Sequence, residues 1–142
     1  MDWVSELRTL RIELDSFRAA RQERLAQLKD LFQSLQIESA LSEMNRILLD
    51  GQGEMEVYTS WEPKENVDRE QDVVEVDGEA EDESDSISAV LTWREEWDRE
   101  IAVDLIIAER ESYLQVNDVD IRLDQDAVRQ ALIRAFREEM GL

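Results

Sequence analysis

The stretch ISAVLTWREEWDREIAVDLII, residues 87–107, decides the fold. Ile87, Ala89, Leu91 and Trp93 fall on one side of an alternating run, and Ile101, Val103, Leu105 and Ile107 fall on one side of a second. Period two is the pattern of a strand with one face against a core. The polar gap between the runs, REEWDR at residues 94–99, reads as a hairpin turn of about four residues joining antiparallel strands.

Working outward, YLQVNDVDIRL at residues 113–123 continues the strand pattern, with a change of parity at Asn117–Asp118 that calls for a turn or a bulge. On the other side, EMEVYTSWE at residues 54–62 alternates as well, and Pro63 stops it. Met55, Val57, Thr59 and Trp61 share one face, and Glu54, Glu56, Tyr58, Ser60 and Glu62 share the other. The expectation is an antiparallel sheet of about four strands.

Helical patterns flank the sheet at both ends. Residues 1–50 contain neither Gly nor Pro, and Val4, Leu7, Leu10, Leu14 and Phe17, then Leu25, Leu28, Phe32 and Leu35, recur in steps of three and four. A strict heptad seam through the first group places Arg21 and Arg24 inside it, and a shift of one residue recovers the second group. Such a break either sets register and partner choice through a polar layer or lets both arginines extend to water along a wide stripe. Asp2 is placed as a helix N-cap, with Ser5 as its competitor. A second pattern covers Ser39 to Asp50, and residues 36–39 leave a bent pair or one long helix open, the bent pair being the more economical. At the other end Asp124 or Asp126 caps a helix with Val128, Leu132, Ala135, Phe136 and Met140 on its stripe, closed by Gly141. Helices at both ends of a run of strands imply an α+β fold, with the C-terminal helix packed on the sheet. The length suits one domain, read as a helical oligomer or partner region over 1–50 and an α+β head over 51–142.

The charge is strongly negative, with 36 Asp and Glu against 16 Lys and Arg, for a net of −20. Most of the excess lies in the middle third, and residues 63–86 read as an acidic flexible loop whose tract GEAEDESDS (78–86) is too poor in apolar residues to fold. Val73, Val74 and Val76 interrupt it as a short strand or docking segment. Ser84 and Ser86 lie in acidic surroundings and are candidate phosphorylation sites. The balance opposes contact with nucleic-acid phosphates and anionic membranes. No run approaches the roughly 18 apolar residues of a membrane span. The N-terminal MDWVSELRTLRIEL lacks the basic-then-apolar layout of a secretory signal, leaving the cytoplasm as the default location.

The chain has no Cys and no His, which removes disulfides, thiolate chemistry, Ser-His-Asp triads and HExxH metal sites. Any chemistry must use carboxylates, Arg, Tyr, Ser, Thr, or Lys29 and Lys64. Asp118, Asp120, Asp124 and Asp126 have a spacing that can gather around calcium or magnesium. Arg122 and the missing Gly break the EF-hand pattern, and turn and capping roles account for the same residues. Asp104 mid-strand with Glu109 after it suggests a magnesium-dependent nuclease, but neither Lys is near and the surface repels the substrate. An exposed strand face explains Asp104 equally. Trp61 and Trp93 are in phase with core positions, while Trp97 lies in the hairpin among Arg94, Glu95, Glu96, Asp98 and Arg99. Either it is a binding hot spot or it folds back over the sheet edge.

The leading expectation is a non-enzymatic protein–protein interaction module, an adaptor or complex subunit, that needs no cofactor or metal. Its partner-binding residues would be Leu7, Leu10, Leu14, Phe17, Leu25, Leu28, Phe32, Leu35 and Trp97, assisted by the acidic loop, with an unidentified protein partner or a second copy. The alternatives are an acidic chaperone or inhibitor that covers the basic surface of a nucleic-acid-binding protein, and a carboxylate-metal enzyme.

Overall fold

The computed structural model describes residues 2–61, 84–108 and 111–142. Helix α1 (Trp3–Ser34) is 32 residues long, about 48 Å at the standard rise. Asp2 caps it, accepting from the Ser5 amide at 2.9 Å, so Ser5 lies inside the first turn. The helix stops at Leu35, Gln36 takes the left-handed conformation (φ 57°), and α2 (Ile37–Leu48) sets off in a new direction. The helical region is therefore a bent pair.

Five strands follow: β1 (Glu54–Thr59), β2 (Ser84–Glu95), β3 (Trp97–Ala108), β4 (Glu111–Val116) and β5 (Val119–Ile121), before helix α3 (Gln125–Met140). They form one antiparallel sheet in chain order, each strand paired with the next. The fold is α+β as the patterns imply, with one strand more than expected. Asn117 and Asp118 both adopt positive φ (49° and 68°), and this tight turn divides the 113–123 pattern into β4 and β5.

Two boundaries need correction. The polar gap 94–99, expected to hold a turn of about four residues, belongs to the strands except for Glu96 (φ 75°), which alone turns the chain between Glu95 and Trp97. The strands extend this far because Arg94 pairs with Asp98 and Arg99 Nε donates to the Glu95 carbonyl at 2.9 Å. The proposed loop 63–86 ends three residues early, because Ser84, Asp85 and Ser86 already pair with Ala108, Ile107 and Ile106. The expectations for 63–83, including Val73, Val74 and Val76, lie outside the described residues.

One sheet face is buried. Ile87, Ala89, Leu91 and Trp93 face Ile101, Val103, Leu105 and Ile107 in the expected phase, with Leu114 and Val116 beside them. The covering layer consists of Leu28, Phe32 and Leu35 of α1 and its end, Ile37 and Leu41 of α2, and Val128, Ala131, Leu132 and Ala135 of α3. The helical region and the head thus share one core. Asn45 ties α2 to β1, accepting from the Gly53 amide at 2.7 Å and donating to its carbonyl at 3.1 Å. A methyl group on Gly53 would lie 2.9 Å from Asn45 Oδ1 and 2.9 Å from Leu49 Cδ1, so both side chains would have to move to admit it. Asp124 caps α3 through the Ala127 amide, and Gly141 (φ 72°) closes it.

Leu41→Ala is expected to cost about 2–5 kcal/mol, because its side chain is fully buried and leaves a cavity. Gly53→Ala should also destabilise, by displacing Asn45. Urea denaturation of the two variants against the parent measures both.

Candidate interaction surfaces

The partner-binding residues expected from the sequence divide into two groups. Leu28, Phe32 and Leu35 are buried and Leu25 is half-buried, so this part of the stripe is used inside the molecule. Leu7, Leu10, Leu14 and Phe17 are exposed, and so is every residue from Asp2 to Ala20 on all sides of the helix. The first 18 residues of α1, about 27 Å, stand clear of the core. Trp3 is 71% exposed and Phe17 55%.

The boundary between the two halves is an ion triad. Asp85 on β2 is 4% exposed. Its carboxylate accepts from Arg24 Nη2 at 2.9 Å, from Arg24 Nε at 3.1 Å and from Arg21 Nη2 at 3.2 Å. Of the two readings of Arg21 and Arg24, extension to water is therefore incomplete: both stems lie along the stripe, but both heads turn to one buried anion. A carboxylate withdrawn from water is costly unless paired and hydrogen-bonded, and here both lobes are satisfied.

Trp97 combines features of its two readings. It is 57% exposed, and its ring lies 4.3 Å from Arg99 Cζ in a cation–π contact. Arg99 is buried, donating to the carbonyls of Glu95 and Glu139 and to Glu96 Oε1. The hairpin tip is thus pinned to the end of α3, and Trp97 is held by the tip's own framework. Trp93 stacks on Phe136 at 5.6 Å, and Trp61 packs against the core under Lys29.

The aspartates take local roles. Asp118 is in the β4–β5 turn, Asp120 accepts from Gln115 at 2.9 Å, Asp124 caps α3 and Asp126 is in its exposed first turn. Asp104 accepts from the Ser88 hydroxyl on the sheet face away from the helices, and Glu109 lies outside the described residues. Among the described residues, no three carboxylates gather to hold a metal ion.

That outward sheet face is the surface the sequence reading passed over. It carries Glu54, Glu56 and Tyr58 of β1, Ser86, Ser88, Val90 and Thr92 of β2, and Glu100, Ala102, Asp104, Ile106 and Ala108 of β3. Glu111, Tyr113 and Gln115 of β4 and Asp120 of β5 complete it. The Tyr58 phenol donates to Glu56, and its pKa is raised above the ordinary 10.0 by that bond first, then by burial and by the charges of Glu56 and Glu100. Alternation alone places Glu54, Glu56 and Tyr58 on one side, but the register that aligns five strands is not in the local pattern. No described helix is long and apolar enough to cross a membrane. No protein-family model, curated protein or solved structure matches the chain.

Replacing Asp85 by Ala leaves Arg21 and Arg24 without their shared anion. The expected loss of stability is about 2 kcal/mol, toward the lower part of the range for charged hydrogen bonds because Arg21 is partly solvated. Denaturant unfolding of Asp85→Ala, Arg24→Met and the double variant should show coupling; additive effects would contradict the triad's role.

Proposed function

We propose that the protein is a non-enzymatic interaction module, an adaptor or complex subunit, whose partner docks on the N-terminal half of α1. The observation that supports this is the continuous row Trp3, Leu7, Leu10, Leu14 and Phe17, exposed on a helix that the core does not reach. An apolar row of this kind on a standing helix is the surface a second helix covers, with side chains three and four apart meeting those of the partner.

The same seam limits the partner. From Arg21 onward it is occupied by the sheet, through Asp85 and then Leu28. A partner helix lying on Trp3 to Phe17 must therefore end or diverge by Arg21, giving a contact of at most about 27 Å. The flanks of the row carry charge of opposite sign. Glu6 and Glu13 precede Leu7 and Leu14, while Arg11 and Arg18 follow Leu10 and Phe17. A partner is oriented by this asymmetry, since like charges against either flank are unfavourable. A second copy of the chain is the alternative occupant, subject to the same limit at Arg21.

Leu10→Asp combined with Leu14→Asp tests the reading. Both side chains are exposed, so thermal unfolding of the isolated protein should be unchanged. A partner captured from native lysate by the parent chain, and held at high salt, should be lost by the variant; sedimentation equilibrium shows whether it is a second copy. Identical captured proteins and identical mass for the two chains would remove α1 as the docking element.

A further inference from the structure

The edge of the sheet at β1 carries an arrangement independent of α1. Among the described residues β1 pairs with β2 alone, so its other side is an open edge. The Ser60 amide donates to the Ser86 carbonyl at 3.0 Å, which turns the backbone of Ser60 toward β2. Backbone groups alternate along an antiparallel strand. Glu54, Glu56 and Tyr58 therefore direct theirs to β2, while Met55, Val57 and Thr59 present N–H and C=O at the open side. Gly53 has the same parity as these three, and Asn45 serves it, accepting from its amide at 2.7 Å and donating to its carbonyl at 3.1 Å. The carboxamide stands in for a neighbouring strand at the first outward residue and goes no further. The opposite edge of the sheet, β5, is three residues long, whereas β1 has six. Its register with β2 runs unbroken, and it holds no Lys, no Pro and no charge on its inward face, the usual devices that blunt an edge. Val57 points inward yet is 40% exposed, so the helices leave this margin uncovered.

We propose that β1 pairs with β1 of a second copy, antiparallel about a two-fold axis at Val57, so that two five-stranded sheets become one. Facing side chains of an antiparallel pair share a side of the sheet, so the axis must pass through a residue. An axis at Glu56 sets two carboxylates opposite each other, and its outer pairs need Gly53, which Asn45 holds. An axis at Tyr58 carries Met55 past the end of the strand to face Trp61. An axis at Val57 uses strand residues alone. Val57 faces its own copy and Met55 faces Thr59 on either side, each pair exchanging two backbone hydrogen bonds. Glu56 then lies opposite Tyr58 of the second copy and Glu54 opposite Ser60, so no carboxylate directly meets another. The contact is isologous and closes at two copies. The axis stands normal to the sheet, which keeps both helix layers on one side and both acidic faces on the other. Two chains of net charge −20 repel at long range, so the pairing tightens as salt rises, the reverse of an ion-paired contact.

Sedimentation equilibrium of the full chain, over a concentration series at low and high salt, should show the mass approaching twice the 16.6 kDa of one chain, at lower concentration in high salt. Val57→Pro removes an outward N–H and no bond to β2, a place where an edge strand tolerates proline. It should weaken self-association by at least about tenfold while the melting temperature shows the fold intact. Val57→Cys gives a second readout that does not depend on the proline variant folding. The chain has no other Cys, and the two Val57 Cα atoms would lie about 5.5 Å apart, within disulfide reach, so mild oxidation should link the copies. Thr59→Cys should not link, because each Thr59 faces Met55 and the two copies of it lie about 14 Å apart. Adding Leu10→Asp and Leu14→Asp to Val57→Cys should leave the link in place, which separates this contact from one through α1. A parent that stays monomeric at every salt overturns the proposal, including one that dimerises only through a strand of another protein. Undiminished association of a folded Val57→Pro chain, or equal linking at 57 and 59, overturns it as well.

Discussion

The position of α1 depends on one buried carboxylate. Asp85 sits at the start of β2 with both oxygens engaged by Arg21 and Arg24, and an anion so placed has few alternatives. Sliding the helix by one turn would strand it, which costs far more than an exposed ion pair gains. Below this point the apolar residues of α1 enter the core in sequence: Leu28, Phe32 and Leu35. Above it the helix has no sheet to rest on. The triad therefore fixes how much of α1 is committed to folding and how much stands free.

The sheet places the second constraint. A meander in chain order lets three helices cover one face, and among the described residues no helix covers the other. Antiparallel sheets tolerate this when the open side is polar, and the open side here is polar in a particular way. Its carboxylates outnumber its cations, and its two tyrosines bond to glutamates on their own strands rather than to the core. The pKa of Tyr58 is raised first by its hydrogen bond to Glu56 and then by burial, with the charges of Glu56 and Glu100 adding to it.

Much of this was legible in the sequence. The core phase of the central hairpin follows from alternation alone, and the caps at Asp2, Asp124 and Gly141 follow from residue type. The fifth strand was hidden because Asn117–Asp118 marks a turn and a bulge equally well until pairing is known. By sequence Asp85 belongs with the acidic tract, since its neighbours Glu81, Asp82 and Glu83 resemble it and nothing local marks it as buried. The available signal lay about 60 residues away: two arginines in an apolar seam either extend to water or meet an anion, and Asp85 is the anion they meet. In the stripe of α1, composition does not separate Leu14 from Leu28, because both are leucines at the same seam and the contact that divides them, at Asp85, is made by a distant strand.

The two exposed surfaces are electrostatically separable despite a net charge of −20. Residues 2–20 carry four acids and three bases, so the standing half of α1 is close to neutral. It also reaches about 27 Å, several times the roughly 8 Å screening length at physiological salt. An apolar partner approaching Leu7 or Leu10 therefore meets little of the repulsion that the sheet face and the acidic tract generate, whatever its own charge. A cationic partner approaching the sheet meets that field directly. The charge segregation along the chain thus leaves the row on α1 to be selected by burial of apolar surface rather than by charge.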